Sequence, residues 1–600
     1  MRLISNHNQL AVFRNELAGS RMVQLAKDHH RVIVQVEVGV GKSTSIDATI
    51  ENAIRSASYD LVVALFPTRN IIDERALVRS PAADIRTVVL HPRPAERCGP
   101  DQDAAWKQRE TQGLGILGRA TICNSCQEHA TCFWPDQYGA RLRGVQVIFG
   151  TQTHLENAAD FLKTIVGNTG AERALVLMDE NNFVCASYDR CIERRDLENF
   201  HQTLQSLHSE GNSRNSTAWE TITRILLNAS TEDLRAPEWQ APFITPRWAL
   251  VVQQRGTERY GEQFRFSAYD IAKFCLAPAH SRERLLNGDI GFAVSPIFPG
   301  DLIVFSGTLD QRYAEYRIGT DLYTPFADVC VMHEGTRWYN IASRCGAKIY
   351  FDKNAPQILD FFAMLTARRL SEGKRVLLVA KKSFVNRCAR EMQARLHRLG
   401  LTDAAVVRPP IPADALDHPH LVPIINYGVS GINQFEDYDC AYCLSSYYVS
   451  EEVLNKALQD VLASDHVIEM EMGIRGLPLR RWVSCRRTSD RFYDVSNVAP
   501  AALNDLEMGA AVQAVGRVRP FTKPREIITF QCDKSPKVAY SREFTSLREA
   551  REHFDIPSQR AWNALRTADQ VAGEKALGRR QREVAQNLGI GLRTVQRYWN

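Results

Sequence analysis

The sequence has no apolar run that approaches membrane-spanning length. Its first residues, Met1-Arg2-Leu3-Ile4-Ser5-Asn6-His7, carry no apolar core of the kind a secretory signal needs. Charge of one sign is scarce as well: 74 Lys and Arg against 69 Asp and Glu leave a net charge of +5. So mild a balance permits a local basic groove but does not by itself argue for nucleic acid. These absences lead to the expectation of a cytoplasmic protein with no membrane partner. In that reducing compartment the 14 cysteines are expected to stay out of disulfides. Most then read as small packing residues, and any cluster of them suggests a metal. What is present is ordinary for a globular protein, at 44% hydrophobic and 24% charged. The 600 residues allow several domains, each with its own core.

One stretch organises the rest: Val36-Glu37-Val38-Gly39-Val40-Gly41-Lys42-Ser43-Thr44. The apolar run Val32-Ile33-Val34 leads into it, and a helical pattern with Ile46, Ile50 and Ile54 leads out. Strand, glycine loop, Lys-Ser/Thr and helix make a phosphate-binding loop. Gly39 and Gly41 let backbone N–H groups, with that of Val40 between them, turn toward phosphates, and the helix N-terminus adds its positive end. Lys42 has the reach for the β- and γ-phosphates, and Ser43, followed by Thr44, offers a hydroxyl to Mg²⁺. The consensus glycine is missing at Val36. Upstream, Gln9 and Arg14 lie on an expected helix; adenine contact is one reading, and a solvated helix face the plainer one.

Further strands follow in order. Leu61–Phe66 ends in Pro67-Thr68-Arg69, and Val145–Phe149 ends in Gly150-Thr151-Gln152-Thr153-His154-Leu155. Ala174–Met178 delivers Asp179 and Glu180 to its end, the first placed to hold Mg²⁺ through water and the second to polarise the attacking water. Leu302–Phe305 runs into Ser306-Gly307-Thr308-Leu309-Asp310. A second α/β unit starts near residue 345, with strands at Arg375–Ala380, Val422–Asn426 and Ala441–Leu444, an Arg-rich helix from Phe384 to Leu399, and a final strand at Glu526–Phe530. A helix from Met508 ends in Gln513-Ala514-Val515-Gly516-Arg517-Val518-Arg519. Its arginines suit the stabilisation of γ-phosphate charge from across an interdomain cleft.

The ordered set VGVGKST, FPTRN, GTQTHL, MDEN, SGTLD, GVSGIN and QAVGRVR, from about residue 32 to 535, resembles a superfamily 2 helicase. The resemblance implies two RecA-like domains with ATP and Mg²⁺ between them. It also implies single-stranded nucleic acid across their top, near Thr68, Arg69, Thr151 and His154. Members of that superfamily often place another residue where Val36 replaces glycine. Cys98, Cys123, Cys126 and Cys132 occupy a long gap between Lys42 and Asp179, and a second long insertion with helical patterns near Leu197–His208 and Trp219–Leu227 precedes Ser306. That arrangement is similar to the XPD/DinG branch, which implies an iron–sulfur cluster of the 4Fe–4S kind on the four cysteines and a helical arch in the second gap. Zinc satisfies a four-thiolate set too, and free thiols are the remaining reading. His129 inside the cluster reads as a surface residue. Two departures stand out: Asp179-Glu180-Asn181-Asn182 lacks the family's histidine, and one residue instead of two separates Arg517 from Arg519.

The last thirty residues resemble a helix-turn-helix. Val584, Ala585 and Leu588 face inward, Gly589 turns the chain, Thr594-Val595 lie on the second helix, and Arg593, Gln596 and Arg597 face outward to bases and phosphates. A plain helical hairpin fits the same pattern. The sequence therefore reads as α/β. A first RecA-like domain spans 1–340, with a cysteine insertion at 95–140 and a helical, arch-like insertion at 185–300. A second RecA-like domain spans 341–545, and an all-α region with a helix-turn-helix spans 546–600. The function expected is an ATP-dependent DNA helicase, moving 5′ to 3′ on single strands and unwinding duplex. Alternatives are an RNA helicase or remodelling ATPase, and a DNA-binding recruitment or replication-control protein whose ATPase is a switch.

Overall fold

The computed structural model describes residues 2–111, 114, 118–157, 161–180, 188–209, 213–261, 264, 266–277, 279, 282–285, 287–294, 297–307, 322–428, 434–449, 471–472, 478–479, 504–532, 538–557 and 559–599. Asn181 and Asn182, residues 308–310 of the SGTLD stretch and residues 429–433 of the GVSGIN stretch lie outside the described residues. The chain divides into one unit of Met1–Val331 with Val449–Gly509, and another of Met332–Tyr448 with Ala510–Asn600.

In the first unit, β1 (Arg2–Ile4), α1 (His7–Glu16), α2 (Gly19–His29), β2 (Arg31–Gln35), α3 (Lys42–Arg55), β3 (Leu61–Phe66) and β4 (Thr87–Val89) come first. Then come α4 (Ala95–Thr111), β5 (Val147–Thr151), α5 (Phe161–Thr169) and β6 (Ala174–Asp179). The second insertion contains β7 (Tyr188–Ile192), α6 (Arg194–Ser209), α7 (Ser213–Asn228), α8 (Pro246–Tyr260), α9 (Ala268–Leu276), β8 (Glu283–Arg284) and β9 (Ile290–Val294). The chain returns through β10 (Asp301–Ser306) to β11 (Val329–Val331), which pairs in parallel with β1. The main sheet has six strands in the order β2-β10-β6-β3-β5-β4, and every pairing is parallel. Helical crossovers cover a parallel sheet on both faces, which is why β3 is an uninterrupted apolar run and β6 is one as far as Asp179, both buried along their whole length.

The second insertion has a core of its own. Leu197, Phe200, Leu204 and Leu207 recur at helical spacing along α6 and pack with Trp219, Phe274 and Phe292. Besides its helices it carries a three-stranded antiparallel sheet, β7-β9-β8, so the helical expectation covers only part of it.

The second unit runs β12 (Arg337–Ile341), α10 (Lys348–Ser371), β13 (Val376–Ala380), α11 (Val385–Arg398), β14 (Ala405–Val407), β15 (Leu421–Asn426) and β16 (Cys440–Cys443). It continues with α12 (Ala510–Val515), β17 (Glu526–Thr529) and β18 (Arg542–Phe544), and ends in α13 (Gln559–Ala576), α14 (Gln581–Leu588) and α15 (Leu592–Arg597). Its seven strands are ordered β14-β15-β13-β16-β17-β12-β18, again all parallel. The α/β class with two parallel sheets is thus the observed fold. β17 is not the last strand: β18 adds to the sheet edge beside β12, through Tyr339 opposite Arg542. At three residues, one of them exposed, β18 is too short to show a periodic pattern in sequence. No helix among the described residues is long and apolar enough to cross a membrane.

Candidate functional site

The β2 strand hands the chain to a loop whose two glycines take left-handed backbone angles, φ 89° at Gly39 and 129° at Gly41. Both values are strained for any residue with a Cβ, which is why glycine stands at these positions. Val36, in the consensus glycine position, is buried, and its N–H donates to Ser306 O at 3.2 Å. Helix α3 begins at Lys42, with Ser43 and Thr44 exposed on its first turn. Two neighbouring elements reach this turn. Gly307 follows β10, and a Cβ there would lie 3.1 Å from Val36 O and 3.7 Å from Lys42 Nζ. Arg75 Nη1 donates to Ser43 O at 3.3 Å and stands 3.7 Å from Asp47. Burial pushes the Asp47 carboxyl up, and Arg75 draws it partly back.

The strand-end carboxylates come to the same place. Asp179, buried, closes β6, and Glu180 follows with φ 66° and its N–H on Phe305 O at 2.7 Å. The Glu180 carboxylate forms an ion pair with the Lys42 ammonium. Gln152 secures the turn from beneath. Fully buried, it donates Nε2 to Asp179 O at 2.7 Å and to Glu180 O at 3.3 Å. Gln152 stands between the expected site residues Thr151 and His154 and is not itself among them. The available signal was a polar side chain just past a buried strand, next to a strand ending in two acids.

The expected nucleic-acid residues of this unit are gathered at the carboxyl ends of β3 and β5. Thr151 is in register with Phe66, two residues before Thr68. The Thr68 hydroxyl is buried without a partner, while Arg69 pairs with Asp73 at 2.9 Å and donates to Leu90 O at 3.2 Å. His154 stacks on Phe161 at 5.0 Å, and burial pushes its pKa down to about 4. It is therefore neutral near pH 7 and offers stacking or a hydrogen bond rather than charge.

The four cysteines come from three pieces of chain. Cys98 lies in α4 before the break at Gly99 and Pro100, Cys123 opens a short turn closed by Cys126, and Cys132 ends the next turn with its N–H on Glu128 O at 2.8 Å. All four line one cavity, together with Arg93, His129 and Trp134. Burial and the other three thiols push the Cys123 thiol up to about 11. Among the described residues, no group of three or more His, Cys, Asp and Glu side chains is arranged to hold a metal ion. The surroundings nevertheless fit a thiolate-bound group. Trp106 faces the Cys123 sulfur and Arg93 the Cys98 sulfur as donors, yet the buried N–H groups at Arg93 Nη1, Trp106 Nε1 and Trp134 Nε1 reach no acceptor with full hydrogen-bond geometry. Unmet buried donors are costly, and anionic sulfur would satisfy them.

In the second unit Gln513 lies in the last turn of α12, two residues before its end at Val515, and Arg517 and Arg519 follow in the next turn. Arg519 has φ 59° and faces Glu436 at 3.7 Å. At the C-terminus, α13, α14 and α15 close around Val571, Val584 and Val595, with Ala585, Leu588 and Ile590 at the rim. Gly589 takes φ 62°, and Ile590 N–H returns to Ala585 O at 3.1 Å, which makes the turn. Lys575 reaches Trp599 O at 2.7 Å from α13, and Asn587 reaches Glu574 at 2.9 Å. Arg593, Gln596 and Arg597 are exposed.

No protein-family profile matches the chain, and no curated protein matches it. Solved structures with a similar course include an XPD helicase, 12% identical over 86% of this chain and 94% of that one, with a TM-score of 0.41. A variant of S. cerevisiae Dbp5 bound to RNA and ADP BeF3 is 10% identical over 87% of this chain and 88% of its own, at a TM-score of 0.34. The helicase MrfA bound to DNA and AMPPNP is 10% identical over 74% of this chain and 45% of that one, at 0.31.

Proposed function

We propose that this chain is an ATP-dependent DNA helicase of the XPD/DinG type. The observation that carries the reading is the ion pair of Lys42 and Glu180, which joins the glycine loop to the carboxylate end of β6. With ATP bound, Lys42 would leave Glu180 for the β- and γ-phosphates, and Ser43 and Asp179 are the residues that would hold Mg²⁺, which would neutralise phosphate charge. Glu180, released from the ammonium, orients water for attack on the γ-phosphorus. By the superfamily resemblance, Gln513, Arg517 and Arg519 would be the residues that stabilise charge on the transferred phosphoryl group. Single-stranded DNA passes the carboxyl ends of β3 and β5.

Cys98, Cys123, Cys126 and Cys132 hold an iron–sulfur cluster in this proposal, with zinc as the competing occupant. The all-thiol donor set and the unmet N–H donors support the cluster, since its sulfurs accept hydrogen bonds. When bound, the cluster supplies a rigid cross-link of the insertion and one-electron redox chemistry. The C-terminal helices dock duplex DNA through Arg593, Gln596 and Arg597, and this module also favours a second reading, a DNA-recruited ATPase switch.

The test is ATP hydrolysis and strand displacement on a forked duplex, with DNA and RNA strands compared. Displacement that needs ATP and a DNA loading strand supports the helicase. Stimulation by RNA alone gives the RNA reading, and hydrolysis without displacement gives the switch.

A further inference from the structure

Glycine gives the phosphate loop the freedom to form a cradle and also the freedom to lose it. With φ of 89° at Gly39 and 129° at Gly41, the peptides on either side of Val40 have little intrinsic preference for which way their N–H groups point. Something outside the loop has to choose. Arg14, on α1, donates Nε to Val40 O at 2.7 Å and Nη2 to Gly39 O at 3.2 Å. A trans peptide is planar, with its C=O and N–H on opposite sides. Holding the carbonyls of Gly39 and Val40 outward therefore turns the N–H groups of Val40 and Gly41 to the opposite side. The competing contact inside the loop is weak, since Val40 N is 3.4 Å from Glu37 O.

The helix that carries Arg14 is itself anchored. Leu10 and Phe13 are buried, Phe13 meets Phe326 edge-on at 5.3 Å, and Leu17 O accepts from Ser45 Oγ of α3 at 2.7 Å. Gln9, the other polar side chain singled out on this helix, is spent locally, accepting from Ser5 N at 2.8 Å.

We propose that Arg14 is a positioning residue for the nucleotide: its guanidinium clamps two loop carbonyls and so presets the backbone N–H groups that receive the diphosphate. The proposal rests on the phosphate-loop reading above. It assigns Arg14 to the loop backbone and not to the adenine base, so its effect should follow the phosphates alone.

The experiment is displacement of a fluorescent ADP from the full-length protein by ADP and by pyrophosphate, with Arg14→Ala, Arg14→Lys and Lys42→Ala variants. Arg14→Ala is expected to weaken ADP and pyrophosphate by the same factor, about tenfold, the scale of one charge-assisted hydrogen bond. Arg14→Lys, which keeps the charge but lacks the fork, should fall between Ala and wild type. In steady-state ATP hydrolysis the KM of Arg14→Ala should rise more than its kcat falls, a split that loss of folded protein does not produce. Weaker ADP with unchanged pyrophosphate would make Arg14 an adenine contact and overturn the proposal. Wild-type affinity in Arg14→Lys would reduce the effect to charge and overturn it too, as would no change in Arg14→Ala. If Lys42→Ala binds both ligands normally, the phosphate-loop reading itself is what fails.

Discussion

Glu180 has a left-handed backbone at φ 66°, unusual for a residue with a Cβ and worth about 1–2 kcal/mol of strain. Gln152 offsets that cost by holding the carbonyls of Asp179 and Glu180 from below. The carboxylate is thereby aimed at Lys42 instead of along the strand. Glu180→Gln keeps the turn and removes the proposed base, so it should bind ATP with near-normal affinity and hydrolyse it at least ~100-fold more slowly. Wild-type turnover in that variant would take the role from Glu180. His154 makes a second residue-scale prediction. Its pKa, pushed down to about 4 by burial, lies below the ordinary value of about 6.5, so the unfolded chain takes up a proton first as pH falls. The stability it contributes is whole above pH 6.5 and is lost toward pH 4, at roughly 1.4 kcal/mol per pH unit. His154→Phe, which preserves the stack on Phe161, should flatten the acid limb of a melting-temperature profile against pH. An unchanged limb would assign the acid sensitivity to other groups.

At the scale of elements, the C-terminal helices close on a small core of Val571, Val584 and Val595, and the four cysteines line a cavity of their own. If the four thiols hold a cluster, anaerobically purified protein should be brown and contain about four iron atoms per chain. Cys126→Ser should lose iron and strand displacement yet keep some ATP hydrolysis. Trp134→Phe should keep the iron and shift the reduction potential downward, because an N–H donor to sulfur favours the reduced, more negative cluster. A colourless protein with one zinc per chain points to the zinc site instead. On α15, Arg593→Ala with Arg597→Ala should weaken duplex binding and lower its salt slope by about two, one for each phosphate no longer neutralised. Equal affinity and slope would leave the three helices as a packing or protein-contact unit.

At the scale of the whole molecule, the second sheet's body extends past its last strand. Arg368 of α10 donates to Phe554 O at 2.6 Å and Asp555 O at 2.9 Å, and Arg551 donates to Pro557 O at 2.8 Å. The chain up to Pro557 is therefore part of the second sheet's body, whereas Val571 of α13 belongs to the core of the terminal helices. Cutting inside α13 would expose that core. Truncation after Pro557 should instead leave single-strand-stimulated ATP hydrolysis within about twofold and reduce duplex binding at moderate salt. Lost hydrolysis in a folded truncation would show that the terminal helices serve the motor.

By itself the sequence determined what depends on local periodicity and local backbone freedom. Buried parallel strands are continuous apolar runs, so Leu61–Phe66, Ala174–Asp179 and Val376–Ala380 could be read directly. Glycines at forced left-handed positions marked the phosphate loop and the turn at Gly589. The helical spacing of Val584, Ala585 and Leu588 gave the inward face of α14. The tertiary structure alone decided what depends on chain distant in sequence. Arg14 reaches a loop 25 residues on, and Gln152 one 27 residues on. The short edge strand β18, the antiparallel sheet of the second insertion, and the unmet donors around the thiols were equally hidden. A side chain's partner across a fold leaves no period in the sequence, because neither its distance nor its direction is set by the residues beside it.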